Sequence, residues 1–251
     1  MPAVAVRTAS SVIPSPRRAA DDLPRDATEG SAAAGYQRVL HQLVRRELRM
    51  LADLATWAPA GEAHRTATLT RHADLIGRVL LHHHAAEREA VWPALLAAVP
   101  VEHVSEVRAA LDDWTVRCAR IDRMLRDVAT AARQWAVAAT AASRNSFAMS
   151  CRAVAVAVDA QTADEESVLL PMLATHLRAE DWIAIARSSR CRLTGSEQLL
   201  VLGLALEDAC ATDRARLLGG LSPATRTAWR VSGRRHYRAA VVRLRGAPPA
   251  P

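Results

Sequence analysis

At 251 residues, half of them apolar, the chain can bury one large core, or one domain plus an appendage. With ten glycines and 4% aromatic residues, the composition argues for helices over sheets. The net charge of +7 is concentrated near the C-terminus: seven arginines and no acid lie between Arg226 and Arg245. No recognisable nucleic-acid module accompanies that segment, so it reads as a solvated helix face, and nucleic-acid binding is not expected. No apolar run reaches the roughly 18 residues of a membrane span. The apolar stretch Ala3–Val6 is too short for a signal peptide and is interrupted by Arg7. The four cysteines, Cys118, Cys151, Cys191 and Cys210, form no CxxC pair, which fits reduced thiols in a cytoplasmic protein.

Residues 1–32 mix proline, serine, alanine and both charges without a period, and read as a disordered arm. From Gly35 a helical pattern begins and runs to Trp57, with His41, Val44, Leu48, Leu51 and Ala55 on one stripe; Pro59 and Gly61 end it. A second helix is expected over 64–99, with Ile76, Leu80, His83, Glu87, Ala90 and Ala94 on one side and Pro100 as its stop. A third starts near Glu102, its stripe running from Val104 through Trp114, Cys118 and Ile121 to Ala132. A fourth starts near Arg144, with Phe147, Cys151, Val154, Val158, Gln161, Glu165, Val168 and Met172 inward. Four long amphipathic segments with short breaks predict an all-α, up-down four-helix bundle over 33–178. Residues 179–251 read as a C-terminal helical extension with a basic tail: one helix near Ser196–Leu218, and another capped by Ser222 with Pro223 at its first position. The tryptophans at 57, 92, 114 and 135 are expected in the core or at the bundle ends.

Polar residues interrupt these apolar stripes. His83 and Glu87 are four apart, so they share one face, and Gln161 and Glu165 repeat that spacing. His41 and Cys118 sit on the other two stripes. A buried carboxylate is costly unless paired, and two carboxylates with two histidines suggest a shared cation. From His41 a helix descends roughly 24 Å to Trp57, and residues 64–83 climb back roughly 28 Å, so the two histidines return to one height within about a turn. The legs from Glu87 to Val99 and from Glu102 to Cys118 are roughly 18 and 24 Å, again close. The last connection closes less well unless its turn lies before residue 141.

The segment LHHHAAEREAVWPAL, 81–95, resembles the second helix of hemerythrin-like (HHE cation-binding) domains, with His83, Glu87 and the pair Trp92-Pro93. DAQTADEESVLLPML, 159–173, resembles the matching fourth-helix motif: Glu165 and Pro171 stand at the same six-residue offset as Glu87 and Pro93. VLHQLVRREL, 39–48, is similar to the first helix with its single ligand, His41, and RCARIDRML, 117–125, to the third. The tail from Arg226 also resembles the C-terminal extension of actinobacterial members. The resemblance implies a bundle that holds non-haem iron and takes a diatomic molecule or a peroxide as ligand. It implies one iron held by His41, His83, Glu87 and Glu165. It also implies histidines where this chain has Cys118 and Gln161, so the second half-site is altered. One metal per chain is therefore expected. Cys118 as thiolate would favour zinc, and Gln161 offers a weak oxygen donor.

His82 and His84 read as flanking groups that support the ligands, and His176 with Glu180 lies roughly 16 Å too far along the axis to join them. No glutamate has a histidine three residues on, which excludes a ferritin-type di-iron motif, and no Gly-x-Ser-x-Gly or phosphate loop is present. The competing expectation is a metal-free, degenerate bundle acting as an interaction or regulatory module, favoured by Cys118, Gln161 and the basic tail.

Overall fold

The structure, a computed structural model, describes residues 31–189, 191–247 and 249. The arm expected over 1–32 lies outside the described residues except for its last two, which cap and begin the first helix.

α1, Ala32–Trp57, starts three residues before the expected Gly35 because Ser31 is its N-cap, its Oγ accepting from the Ala34 amide. α2, Ala63–Ala86, continues through a wide turn, Glu87–Val91, into α3, Trp92–Ala98. Together these make the long second helix that periodicity demands. After a short 3₁₀ turn, Val101–His103, come α4, Val104–Ala138, and α5, Ala141–His176. The α4–α5 turn sits at Ala139 and Thr140, before residue 141. Ala139 takes a left-handed conformation, φ 51°, to end α4. Thr140 and Ser143 then form a reciprocal capping box that starts α5 three residues ahead of the expected Arg144.

α1 packs against α5 and α2, and α4 against α5 and α2, so the four long helices form a closed ring of antiparallel neighbours. Two apolar clusters fill the bundle. The larger runs from Leu40 through Leu51, Ile76, Leu125, Trp135 and Phe147. The smaller, at the other end, holds Trp92, Leu95, Trp114, Leu169 and Leu173. The polar layer lies between them. Trp92, Trp114 and Trp135 are buried as expected, whereas Trp57 is 86% exposed.

The extension contains more helices than expected: α6, Ala179–Ser188; α7, Gly195–Glu207; α8, Ala211–Gly219; α9, Pro223–Ala228; and α10, Arg234–Arg245, joined to α9 by a second wide turn, Trp229–Gly233. The expected single helix over Ser196–Leu218 is broken because Cys210 acts as a new N-cap, its Sγ accepting from Asp213. Ser222 caps α9 with Pro223 at its first position, as read from the sequence. Leu204, Trp229, Tyr237, Val241 and Leu244 join the larger core cluster, so the extension is packed onto the bundle. Two glycines make this docking possible. A Cβ on Gly203 would lie 2.3 Å from the Tyr237 ring, and one on Gly35 would lie 2.7 Å from Asp213 Oδ1. Among the described residues no helix is long and apolar enough to cross a membrane.

Candidate metal centre

Each helix of the bundle contributes to one layer. Gln37 and His41 are four apart on α1, His83 and Glu87 four apart at the end of α2, and Gln161 and Glu165 four apart on α5, so each pair shares a face. Cys118 comes from α4. Glu87 opens the wide turn. The Trp92 amide reaches back five residues to the Glu87 carbonyl, giving the backbone room just before Pro93, which has no amide to offer.

His41, His83, Glu87 and Glu165 each place one ligand atom so that all four lie within 4.8 Å of one another, and all four side chains are buried. His83 Nε2 is 3.2 Å from Glu87 Oε1, and His41 Nε2 is 3.3 Å from Glu165 Oε2. Despite that approach, His41 Nε2 makes no hydrogen bond among the described residues. The other ring nitrogen, Nδ1, lies 3.1 Å from Glu166 Oε1, which also accepts from Arg45 at 2.7 Å. An Nδ1–H held by Glu166 leaves the Nε2 lone pair facing the two carboxylates, the arrangement that orients a metal-ligating histidine. Gln37 Nε2 donates to Glu87 Oε1 at 3.1 Å and orients that carboxylate.

Cys118 and Gln161 border the same layer but are engaged with each other. Gln161 Nε2 donates to Cys118 Sγ at 2.9 Å and to Glu165 Oε1 at 2.8 Å, while Cys118 Sγ is 4.0 Å from Glu87 Oε2. His84 is buried and joins Asp122 at 2.5 Å, and Arg88 reaches the same carboxylate. His84 thus supports the layer from outside it. His176 and Glu180 are not part of the cluster.

The electrostatics are those of a site built for a cation. Burial pushes the Glu87 carboxyl well above the usual carboxylate range, and the nearby Glu165 carboxylate pushes it further, against the Gln37 amide and Arg88. Burial pushes His83 well below its ordinary value, and His41, His84 and His82 add to this, so its imidazole is neutral and free to bind a metal. At His41 burial acts downward but is outweighed by Glu165 and Glu166, and the net shift is upward. Burial, Glu87 and Glu165 all raise the Cys118 thiol, which is therefore a neutral S–H. Two carboxylates and two imidazoles in a buried layer suit a divalent first-row transition metal: its charge cancels the two carboxylates, and it gives the unpartnered His41 Nε2 an electron-pair acceptor.

Glu166 and Gln37 are absent from the residues expected to matter. A signal for Gln37 exists in its four-residue spacing to His41, the spacing that drew attention to His83 and Glu87. Glu166 faces a flank, and nothing in the apolar stripe points to it. All four cysteines are free thiols; Cys118 and Cys151 are buried and Cys210 is exposed.

Residues 36–173 match the family model for the hemerythrin HHE cation binding domain. No curated protein and no solved structure matches the chain.

Proposed function

The chain belongs to the hemerythrin HHE cation-binding family, and on that premise we propose that it holds one non-haem iron through His41, His83, Glu87 and Glu165. We further propose that the site senses or handles dioxygen, peroxide or nitric oxide. The observation that carries this reading is the convergence of four buried ligand atoms within 4.8 Å on a family match spanning all four bundle helices. A redox metal with an open coordination position supplies the binding of small oxidants. The chain's own residues do the rest. Glu166 holds His41 in the ligating tautomer, and Gln37 orients Glu87. Apolar clusters flank the layer on either side. The Cys118 thiol accepts from Gln161 and stands outside the four-atom cluster. Four free cysteines support a reducing, cytoplasmic setting. We divide the chain at 178, with the bundle as the metal-binding unit and 179–251 as its extension.

A second reading is favoured by one specific contact. Gln161 satisfies both Cys118 and Glu165 without any ion, which is how a bundle that has lost its metal would close that half of the site, leaving an interaction or regulatory module. Elemental analysis of tag-free protein from iron-supplemented cells separates the two. We expect about one iron per chain. Two per chain would overturn the altered half-site, and none would favour the metal-free module.

A further inference from the structure

Three of the large apolar side chains that the bundle leaves exposed lie along one edge of it: Trp57 at 86%, Met149 at 72% and Val156 at 64%. Met149 and Val156 belong to a longer series. α5 turns a residue outward at alternating steps of four and three from Ala142 to Ser167, and each of these positions is exposed and uncharged. The outer face of the neighbouring α4 carries Arg120, Arg123, Arg126 and Asp127 instead. Trp57 borders the series from α1. Arg45, Arg49 and Asp53, four residues apart on α1, contact Glu166, Asp159 and Arg152 in turn along the flank of α5. Trp57 is the next member of that row, one turn further towards the start of α5. A solvated helix face is normally polar, whereas an uncharged series at this spacing is the seam of a helix pair.

The face is complementary to itself. Laid antiparallel on a second copy about a two-fold axis between Ala153 and Val156, it pairs Met149 with Ala160, Ala153 with Val156, Ser146 with Ala163 and Ala142 with Ser167 of that copy. The two bulky members each meet an alanine, so the helices can approach closely. The charged flank matches in the same register. Arg152 comes opposite Asp159 of the second copy, and the axis repeats that pair. Arg152 is exposed and its one contact within the chain, to Asp53, is 3.4 Å long, so it is available. A parallel pair is worse on both counts. Each position would then face its own copy, so Met149 would meet Met149 while Ala153 met Ala153, and Asp159 would stand beside Asp164 of the second copy, acid against acid.

We propose that this face binds a second copy of the chain, α5 against α5 in antiparallel register, with a Trp57 ring closing each edge. The contact is about 37 Å long and about 10 Å wide, roughly 800 Å² over both copies. The two Trp57 rings add about 300 Å². The total reaches the roughly 1,000 Å² that a specific interface needs but stays below the standard size, which fits a reversible dimer. Gln161 and Glu165 are buried on the opposite side of α5, so association does not depend on the metal reading.

The test is sedimentation velocity of the full chain from about 1 to about 200 µM, where a monomer–dimer equilibrium with a Kd of roughly 10 µM is expected. Ala153→Arg and Met149→Asp each place a charge in the seam and should weaken the dimer at least about tenfold. Both positions are exposed, so the fold should survive, and two variants guard against either one misfolding. Arg152→Glu sets acid against Asp159 of the second copy and should weaken the dimer more at low salt than at high salt. Val116→Asp is the control: Val116 is 67% exposed on α4, and the dimer should be unchanged. Orientation is read by mixing Ala142→Cys with Ser167→Cys, oxidising, and mapping the linked peptides by mass spectrometry; a 142–167 link between copies is expected. A monomer throughout the range, a dimer that survives both seam variants, a dimer that Val116→Asp disrupts as badly, or a 142–142 link would each overturn the proposal.

Discussion

Glu87 is buried beside a second carboxylate, and its charge is tolerable only if something positive is bound nearby. That makes it the most informative residue to change. Glu87→Gln keeps the shape and the ability to bond Gln37 but removes the charge. If the layer holds a cation, metal content should fall sharply. The melting temperature of metal-supplemented protein should fall with it, because an ion that binds only the folded chain stabilises it by mass action. Glu165→Gln should behave alike, since both carboxylates belong to the same four-atom cluster. Glu89→Gln is the control: Glu89 is exposed two residues away and should lose no metal. Full metal content in Glu87→Gln together with a raised melting temperature would instead mark Glu87 as an unpaired buried acid. Loss of metal in the Glu89 control would show that the effect is not local.

At the scale of elements, the contact between α10 and the bundle is decided by one buried carboxylate. Glu47 on α1 accepts from His72 at 2.7 Å and from Arg245 at 2.8 Å, and Arg46 adds a third contact. Arg245 also holds Glu207, which accepts from the Tyr237 hydroxyl at 2.8 Å, so α1, α2, α7 and α10 meet in one network. Burial works to raise Glu47, but His72, Arg46 and Arg245 outweigh it and hold the carboxyl down to about 2. A depressed carboxyl contributes stability that is fully present above its unfolded value, about 4.3, and is lost as pH falls towards 2. Wild type should therefore be more stable than Glu47→Gln by about 3 kcal/mol at pH 6, and the gap should close between pH 4.5 and 2. Urea unfolding of both proteins at pH 6, 4 and 2.5 measures this. A gap that stays constant across that range would mean that the network contributes through packing and not through charge.

Across the whole molecule, the basic tail is less free than its sequence implies. Arg226 donates to the carbonyls of Gly219 and Leu221, and Arg245 is locked in the Glu47–Glu207 network. Arg230, Arg234, Arg235, Arg238 and Arg243 remain exposed. If these five meet a polyanion, at most about five counterions are released, so affinity should fall with salt with a logarithmic slope no steeper than about −4.5. Fluorescence anisotropy of labelled duplex DNA between 50 and 200 mM salt reads the slope. We expect weak, sequence-independent binding; a salt-resistant, sequence-selective complex would show that the tail is a recognition surface.

The bundle, its four long helices and six of the polar residues of its central layer were legible in the sequence because they obey a short-range rule. A side chain recurring every three or four positions must face the same neighbour, so a histidine or glutamate on an apolar stripe declares itself. Helix lengths then bring His41 level with His83 and Glu87 level with Cys118, whereas the start of α5 at Ala141 falls three residues before the expected Arg144. What tertiary structure alone decided involves partners that share no periodicity. Glu166 reaches His41 from a flank, 125 residues away in the chain. The break at Cys210 depends on a local cap competing with a continuous apolar pattern. Above all, the extension folds back so that Trp182, Leu217 and Leu221 line one cavity with Tyr36 and Val91 of the bundle. No local pattern encodes that contact, because it depends on how two separately amphipathic segments dock, through close approaches at Gly35 and Gly203 that only a missing side chain permits.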